Sequence, residues 1–307
     1  MLVLELQGYL GLLGLGGFEV PAGLPSCELC GGDDAPILRR RTRVTATIDA
    51  AFDIRCCAHC GLLFQSPRFA PEFYRAYYGQ VYRRLLAQEQ PAFDSHVEDQ
   101  IARGEALLES LAQLLPRPGR MLDLGCGAGG MMHAFRRRGW SVAGVDPDSL
   151  AAAHARDALG LTVQTMDAEE MWLDPGAFDL ILIAGSLEHV HDITRVLARC
   201  HRAGAEDSLL LLEAHGLGQA EYLGAIGHNH RRLLTANSLA LAMLRHGWTP
   251  QFITDAPLSG PTRPGSTFAL GRRTERLGPE PMEAAIGLGV RDTPESMAAW
   301  LDRHGIG

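Results

Sequence analysis

Four of the seven cysteines fall in two CxxC pairs, Cys27 with Cys30 and Cys57 with Cys60, and each pair is followed by glycine. Thiolates two residues apart clamp half a tetrahedron, so two such knuckles on facing hairpins complete an all-thiolate zinc site. With no open position, its role is structural. Cys56 and His59 compete as ligands, but only Cys57 keeps the spacing of the first pair; a redox dithiol is the alternative chemistry. The second group is DLGCGAG, Asp123 to Gly129. Its glycines let the backbone bend sharply and approach a ligand, and the helix that follows presents free amides. About twenty residues on, VAGVD ends in Asp146, where a carboxylate takes both hydroxyls of a ribose, and MDAEE places Asp167 and Ala168 at the same sheet edge.

Proton-transfer groups lie in two further stretches. SLEHVHD carries Glu188, His189, His191 and Asp192, and GHNHRRLLT carries His230. A histidine at the ligand-binding edge takes a proton from a hydroxyl or carbon acid at neutral pH. The competing readings of SLEHVHD are a loop-orienting role for Glu188 and His189, or a metal site. Arg39, Arg40, Arg41 and Arg43 are either a solvated hairpin face or a grip on a phosphate.

These groups need a scaffold. A chain of 307 residues has room for about two domains, and 46% hydrophobic with 21% charged residues is an ordinary globular composition. All 28 basic residues other than histidine are arginine, so Schiff-base chemistry, covalent pyridoxal phosphate and a P-loop lysine are excluded. A net charge of −8 offers no global field for nucleic acid. The CxxC usage fits a reducing cytoplasm. Residues 1–26 read as an apolar extension, neither signal peptide nor membrane span, whose apolar face suits a homodimer contact.

Composition then divides the chain into a ribbon over 27–67, a helical linker or lid over 68–118 closed by PRPG, a core over 119–272, and a tail over 273–307 with one helix at Pro294 to Arg303. From Arg120 onward, short apolar runs alternate with amphipathic helical stretches, the signature of βαβ units and a parallel sheet covered on both faces. A helix from Thr235 to His246 leads to WTPQFITDA and STFALGRR, an antiparallel pair at one edge.

The series DLGCGAG, VAGVD, MDA and FDLILIAGSLEHV resembles the class I S-adenosylmethionine-dependent methyltransferases over about 150 residues. A nicotinamide dehydrogenase, the rival for such a core, would show GxGxxG where this loop reads GCGAGG. The resemblance implies a doubly wound, seven-stranded, Rossmann-like sheet with its last strand reversed. It places Gly125 to Gly129 around the methionine part of the cofactor, Asp146 on the ribose and Asp167 near the adenine amine. Asp123, Cys126, Pro147, Ala168, Ala184 and Ser186 complete that contact set in the core. The ribbon, followed by GLLFQSPRF and YRAYYGQVY, resembles sugar-nucleotide C-methyltransferases of antibiotic pathways, which implies Tyr78 and Tyr82 over cofactor and substrate. His230 matches the second histidine of that group's HEHxxYFS segment. The chain departs from it at Asn229, Leu233 and Leu234, and is expected to be without its C-terminal domain.

The expected function is methyl transfer from S-adenosylmethionine to a small or carrier-linked metabolite, with His230, His189 and Tyr78 as base candidates. Rivals are an RNA methyltransferase using the ribbon as a clamp and a non-catalytic binding scaffold.

Overall fold

The computed structural model describes residues 26–40, 42–45, 48–50, 53–81, 90–218, 229–275 and 292–305, with Gly8, Gly11 and Gly14. The rest of the apolar extension up to residue 25, and Tyr82, lie outside the described residues.

The ribbon contributes β1 (Ile37–Arg39), β2 (Thr42–Thr45), β3 (Ile48–Ala50), β4 (Asp53–Cys56) and β5 (Leu63–Ser66). β4 pairs antiparallel with β1 and β5, while β2 and β3 form a separate two-stranded ladder. Pro71, pre-set for a helix start, opens the short α1 (Pro71–Ala76), which buries Phe73 and Tyr74 and runs into a π-helical turn at Tyr77–Val81. The long α2 (Gln90–Ser110) follows. The helical linker expected over 68–118 is therefore at least two elements.

The core strands are β6 (Arg120–Leu124), β7 (Ser141–Asp146), β8 (Thr162–Thr165), β9 (Phe178–Ala184) and β10 (Gly204–Ala214). They alternate with α3 (Gly130–Arg137), α4 (Ser149–Asp157) and α5 (Ile193–Ala203). After β11 (Arg232–Leu233) and α6 (Ala236–Arg245) come β12 (Trp248–Thr254) and β13 (Thr267–Arg273), and α7 (Pro294–Arg303) closes the described chain. The seven-stranded sheet has the order β12-β13-β10-β9-β6-β7-β8. Pairings from β10 to β8 are parallel; β13 runs antiparallel to β10 and to β12. This is the doubly wound sheet with its last strand, β13, reversed between β10 and the edge strand β12. The order turns back between β6 and β9, the switch point where such sheets open a crevice at the strand carboxyl ends.

Successive residues of a strand face opposite sides, and the two apolar layers divide accordingly. Leu180 and Leu182 of β9 pack with Leu107, Phe135 and Trp140 on one face; Ile181 and Ile183 pack with Val196, Leu197 and Leu239 on the other. The second layer also contains Cys27, Leu29, Cys57, Cys60 and Phe64, so the ribbon shares the core of the sheet. Two long-range additions tie it down further. β11 joins the ribbon sheet through Arg232 opposite Phe64 and Leu233 opposite Leu63, and α7 lays Met297, Trp300 and Leu301 against Ile54, Cys56 and Leu63. Helix starts follow the sequence closely: Thr235 and Ser238 form a capping box on α6, as do Thr293 and Ser296 on α7. Among the described residues no helix is long and apolar enough to cross a membrane.

Candidate active site

A cavity of about 390 Å³ opens at the carboxyl ends of β6, β7, β9 and their neighbours. Its floor is the turn after β6. Gly125 lies at φ 75°, and a Cβ there would come within 2.4 Å of Ser186, so only glycine lets the loop close on β9. At Gly127, φ 54°, a Cβ would meet nothing within 4 Å: the loop turns its open side to the cavity. The Gly127 amide donates to Asp146 Oδ2 at 2.7 Å, and the Asp148 amide donates to Oδ1 at 2.8 Å. The carboxylate at the end of β7 is thus held by backbone, oriented before any ligand arrives.

Gly125, Cys126, Gly127, Asp146, Pro147, Asp167, Ala168, Ala184 and Ser186 all line this cavity. Asp123 and Gly129 do not. Asp123 is buried beneath the loop, where burial and the neighbouring Asp146 charge push its carboxyl up to about 7. Gly129, φ 82°, is the N-cap of α3, packed against Leu161 and Ala155. On the outer side α1 closes the cavity with Tyr74 and Arg75, and Tyr78 follows from the π-helical turn. Arg75 Nε donates to Asp167 Oδ2 at 2.8 Å and Nη2 to Glu170 at 3.1 Å, so the lid is latched to the end of β8.

The opposite end is built from imidazoles. His189 and Tyr78 line the cavity, with ring centroids 6.3 Å apart. His230 lies 4.6 Å from His189 and 5.2 Å from His215, which follows β10. All three proposed proton-transfer residues therefore meet in one cluster, although His230 sits behind His189 and outside the cavity lining. His189 Nδ1 lies 2.8 Å from the Asn229 carbonyl. A carbonyl only accepts, so Nδ1 carries the hydrogen and Nε2 the lone pair. Burial, then the charge of His230, holds the His189 imidazole well below its ordinary value; burial and His215 bring His230 down to about 4. Both rings are neutral at pH 7. Burial favours the neutral acid form of Glu188, but the hydrogen bonds and charge of His215 prevail and hold its carboxyl down at about 2.

The family model "Methyltransferase domain" (Methyltransf_23) matches residues 93–251, which span β6 to β11 and most of β12. The chain belongs to this methyltransferase family. A ubiquinone biosynthesis O-methyltransferase of Pseudomonas aeruginosa (strain LESB58) is 35% identical over 117 residues, 35% of this chain and 49% of the relative. The corresponding enzyme of Rhodopseudomonas palustris (strain BisB18) is 42% identical over 91 residues, 26% of this chain and 34% of the relative. This chain spans about half the length, or less, of these curated relatives. The crystal structure of Burkholderia thailandensis 1,6-didemethyltoxoflavin-N1-methyltransferase, with bound 1,6-didemethyltoxoflavin and S-adenosylhomocysteine, shares the fold: TM-score 0.51, 20% identity, 77% of this chain and 100% of that one.

In this methyltransferase the four ribbon thiols lie within 4.8 Å of one another, with Cys27 Sγ 3.6 Å from Cys60 Sγ and Cys30 Sγ 3.5 Å from Cys57 Sγ. A tetrahedron of sulfurs about 2.3 Å from a zinc ion has edges of about 3.8 Å, so the group fits that ion. It is the sole metal-compatible group among the described residues. Cys56 turns away toward the Gly61 carbonyl, and His59 is exposed. Glu188, His191 and Asp192 are engaged elsewhere: with His215, beside Arg231 and Arg68, and at the N-cap of α5.

Between the first two thiols, Glu28 reaches into the protein. Arg232 donates to it from Nε and Nη2 at 2.8 and 2.9 Å, and Arg68 from both terminal nitrogens. Arg232 Nη1 also donates to the carbonyls of Leu187 and Val190 at 2.7 and 2.8 Å, and Arg68 to that of His191 at 3.3 Å. The knuckle thereby holds the backbone that flanks His189. His215, Arg231 and Arg263 had no part in the sequence reading. His215 alone carried a usable signal, since LLLLEAH ends a core strand at the ligand edge.

Two outcomes follow. Glu28→Gln should retain the metal yet lose amide protection over residues 187–191 by at least tenfold in hydrogen exchange; unchanged protection would uncouple the knuckle from the loop. His230 is lowered relative to its unfolded value near 6.5, so below that pH the unfolded chain binds the proton first and stability falls toward about pH 4. Between pH 7 and 5, wild type should lose up to ~2 kcal/mol more than His230→Gln in urea unfolding. Parallel losses would place the pH response elsewhere.

Proposed function

We propose that this protein transfers a methyl group from S-adenosylmethionine to a proton-bearing oxygen or activated carbon of a small or carrier-linked metabolite. One observation carries the reading: a single cavity runs from the Gly127 loop, Asp146 and Asp167 at one end to His189 at the other. S-adenosylmethionine, when bound, supplies a methyl already activated on a sulfonium. Asp146 would take the ribose hydroxyls, the glycine turn would admit the methionine part, and Asp167 with Ala168 would border the adenine. The protein's own work is to align and to exclude water. Tyr78, following the latched α1, covers the cavity beside His189. His189, with Nε2 as its lone-pair nitrogen, receives the proton of the acceptor, and His230 and His215 behind it pass or hold that charge. In this reading Cys27, Cys30, Cys57 and Cys60 hold a structural zinc, and a reducing cytoplasm keeps the thiols available.

The relatives are named for O-methylation in ubiquinone biosynthesis, which supports a small-molecule acceptor. Their similarity covers 35% of this chain at most here, too little to carry that acceptor over. An acceptor bearing an acidic hydroxyl or carbon fits the neutral imidazoles, which are weak bases.

Calorimetry with S-adenosylhomocysteine tests the donor. Asp146→Ala should weaken binding more than tenfold, since charge-assisted hydrogen bonds contribute about 1.5–3 kcal/mol each. Unchanged affinity, or preference for NADH, would overturn the assignment. Elemental analysis should find one zinc per chain, absent from Cys30→Ala with residues 27–67 loosened; metal-free native protein would remove zinc from the reading.

A further inference from the structure

The charges lining the cavity are divided. Its donor half, at the ends of β7 and β8, presents Asp146, Asp148, Asp167, Glu169 and Glu170. Its other half, built after β9, β11 and between β12 and β13, presents, besides the exposed Asp192 and Arg195 at the start of α5, the buried Arg231 and the half-buried Arg263. Neither guanidinium has an ion-pair partner among the described residues, although Arg75, Arg103 and Arg232 nearby all do.

Arg231 is 2% exposed and lies flat over Tyr74, its guanidinium carbon 3.4 Å from the ring centroid. Its Nη1 donates to the His189 carbonyl, while Nε is buried without a partner. Arg263 is half-buried against Gly185, where a Cβ would come within 2.6 Å of its Nη1 and 3.8 Å of His215 Cε1; only glycine leaves the guanidinium its place. One cation therefore stands beside His189 and the other beside His215. The carboxylates of this half are engaged elsewhere, Asp192 accepting from the Arg195 amide at the N-cap of α5. Arg103 Nη2 lies 2.6 Å from both oxygens of Glu213, and Glu188 accepts from the His215 amide at 2.8 Å. Taking a guanidinium out of water without a counter-ion is costly, and its planar fork matches a carboxylate or phosphate.

We propose that Arg231 and Arg263 form the anion-binding wall of the acceptor site, so that the methyl acceptor carries a carboxylate or phosphate. The proposal rests on the reading above that the acidic half takes the methyl donor. The donor's own carboxylate is the other source of such an anion. It is one group for two cations, and the ribose and adenine positions lie at the far end of the cavity.

The test titrates protein saturated with S-adenosylhomocysteine, using benzoate and phenyl phosphate against their neutral counterparts benzamide and benzyl alcohol. At least one anion should bind tenfold or more tighter than its neutral match. Arg263→Gln should erase that preference while S-adenosylhomocysteine affinity stays within twofold, and Arg231→Lys, which keeps the charge but loses the flat stack, should weaken the anion severalfold. Equal binding of anions and neutral probes, or a preference that survives Arg263→Gln, overturns the proposal while leaving the donor reading intact. A tenfold loss of S-adenosylhomocysteine in Arg263→Gln with 5′-deoxy-5′-methylthioadenosine unaffected also overturns it, assigning Arg263 to the donor's carboxylate. Failure of wild type to bind S-adenosylhomocysteine, seen before any anion is added, overturns the donor reading and this proposal together.

Discussion

The rest of the site depends on one buried carboxylate. Glu28 sits between two of the clustered thiols, Cys27 and Cys30, and its two oxygens are shared by Arg68 and Arg232. Burial alone would favour the neutral acid; the two guanidiniums overcome it and hold the carboxyl well below its ordinary range. Such a cluster is stable only with its geometry complete, because removing one partner leaves a desolvated charge behind. The same guanidiniums reach past Glu28 to the carbonyls of Leu187, Val190 and His191. Arg245 adds a hydrogen bond from α6 to the Glu28 carbonyl at 3.1 Å. Ribbon, imidazole loop and α6 are therefore joined by one ionic cluster, and a metal that rigidifies the knuckle would rigidify the wall of the cavity as well.

The cavity uses burial in two opposite ways. At the glycine-turn end, burial and then the nearby Asp146 charge disfavour a charge on Asp123. Asp146 accepts from two backbone amides, while Asp123, buried behind it, is pushed up to about 7. At the imidazole end, burial removes the protons of His189 and His230 and leaves neutral rings. Preorganised groups of this kind act without rearranging at the moment of reaction, which suits a reaction whose methyl arrives activated.

Local pattern carried much of this into the sequence. The strand series, the glycine turn, Asp146 and the two CxxC pairs each depend on residues close in the chain, as do the boxes that start α6 and α7. What escaped depends on distant segments meeting. β11 reads as part of a histidine loop, yet it pairs with β5 of the ribbon, about 170 residues earlier by number. Arg231 and Arg232 are adjacent, and nothing in RRLLT separates them; the fold sends one over Tyr74 into the cavity and the other to Glu28. The loop GHNHRRLLT makes His230 a base candidate, whereas the structure lines the cavity with His189 and sets His230 behind it.

The absence of lysine gains a physical meaning in these clamps. Arg232 spends Nε, Nη1 and Nη2 on two carboxylate oxygens and the carbonyls of three residues, a fan that a three-donor ammonium on a flexible stem does not reproduce. Arg231 needs a flat cation to lie against Tyr74. Burial lowers Arg232 from its ordinary value, but that value starts so high that the charge persists. A lysine in the same place would begin about two units lower, shift further under the same desolvation, and leave Glu28 unpaired. The burial that strips protons from the imidazoles thus leaves the guanidiniums charged, and the cavity sets neutral imidazoles in a permanently cationic frame.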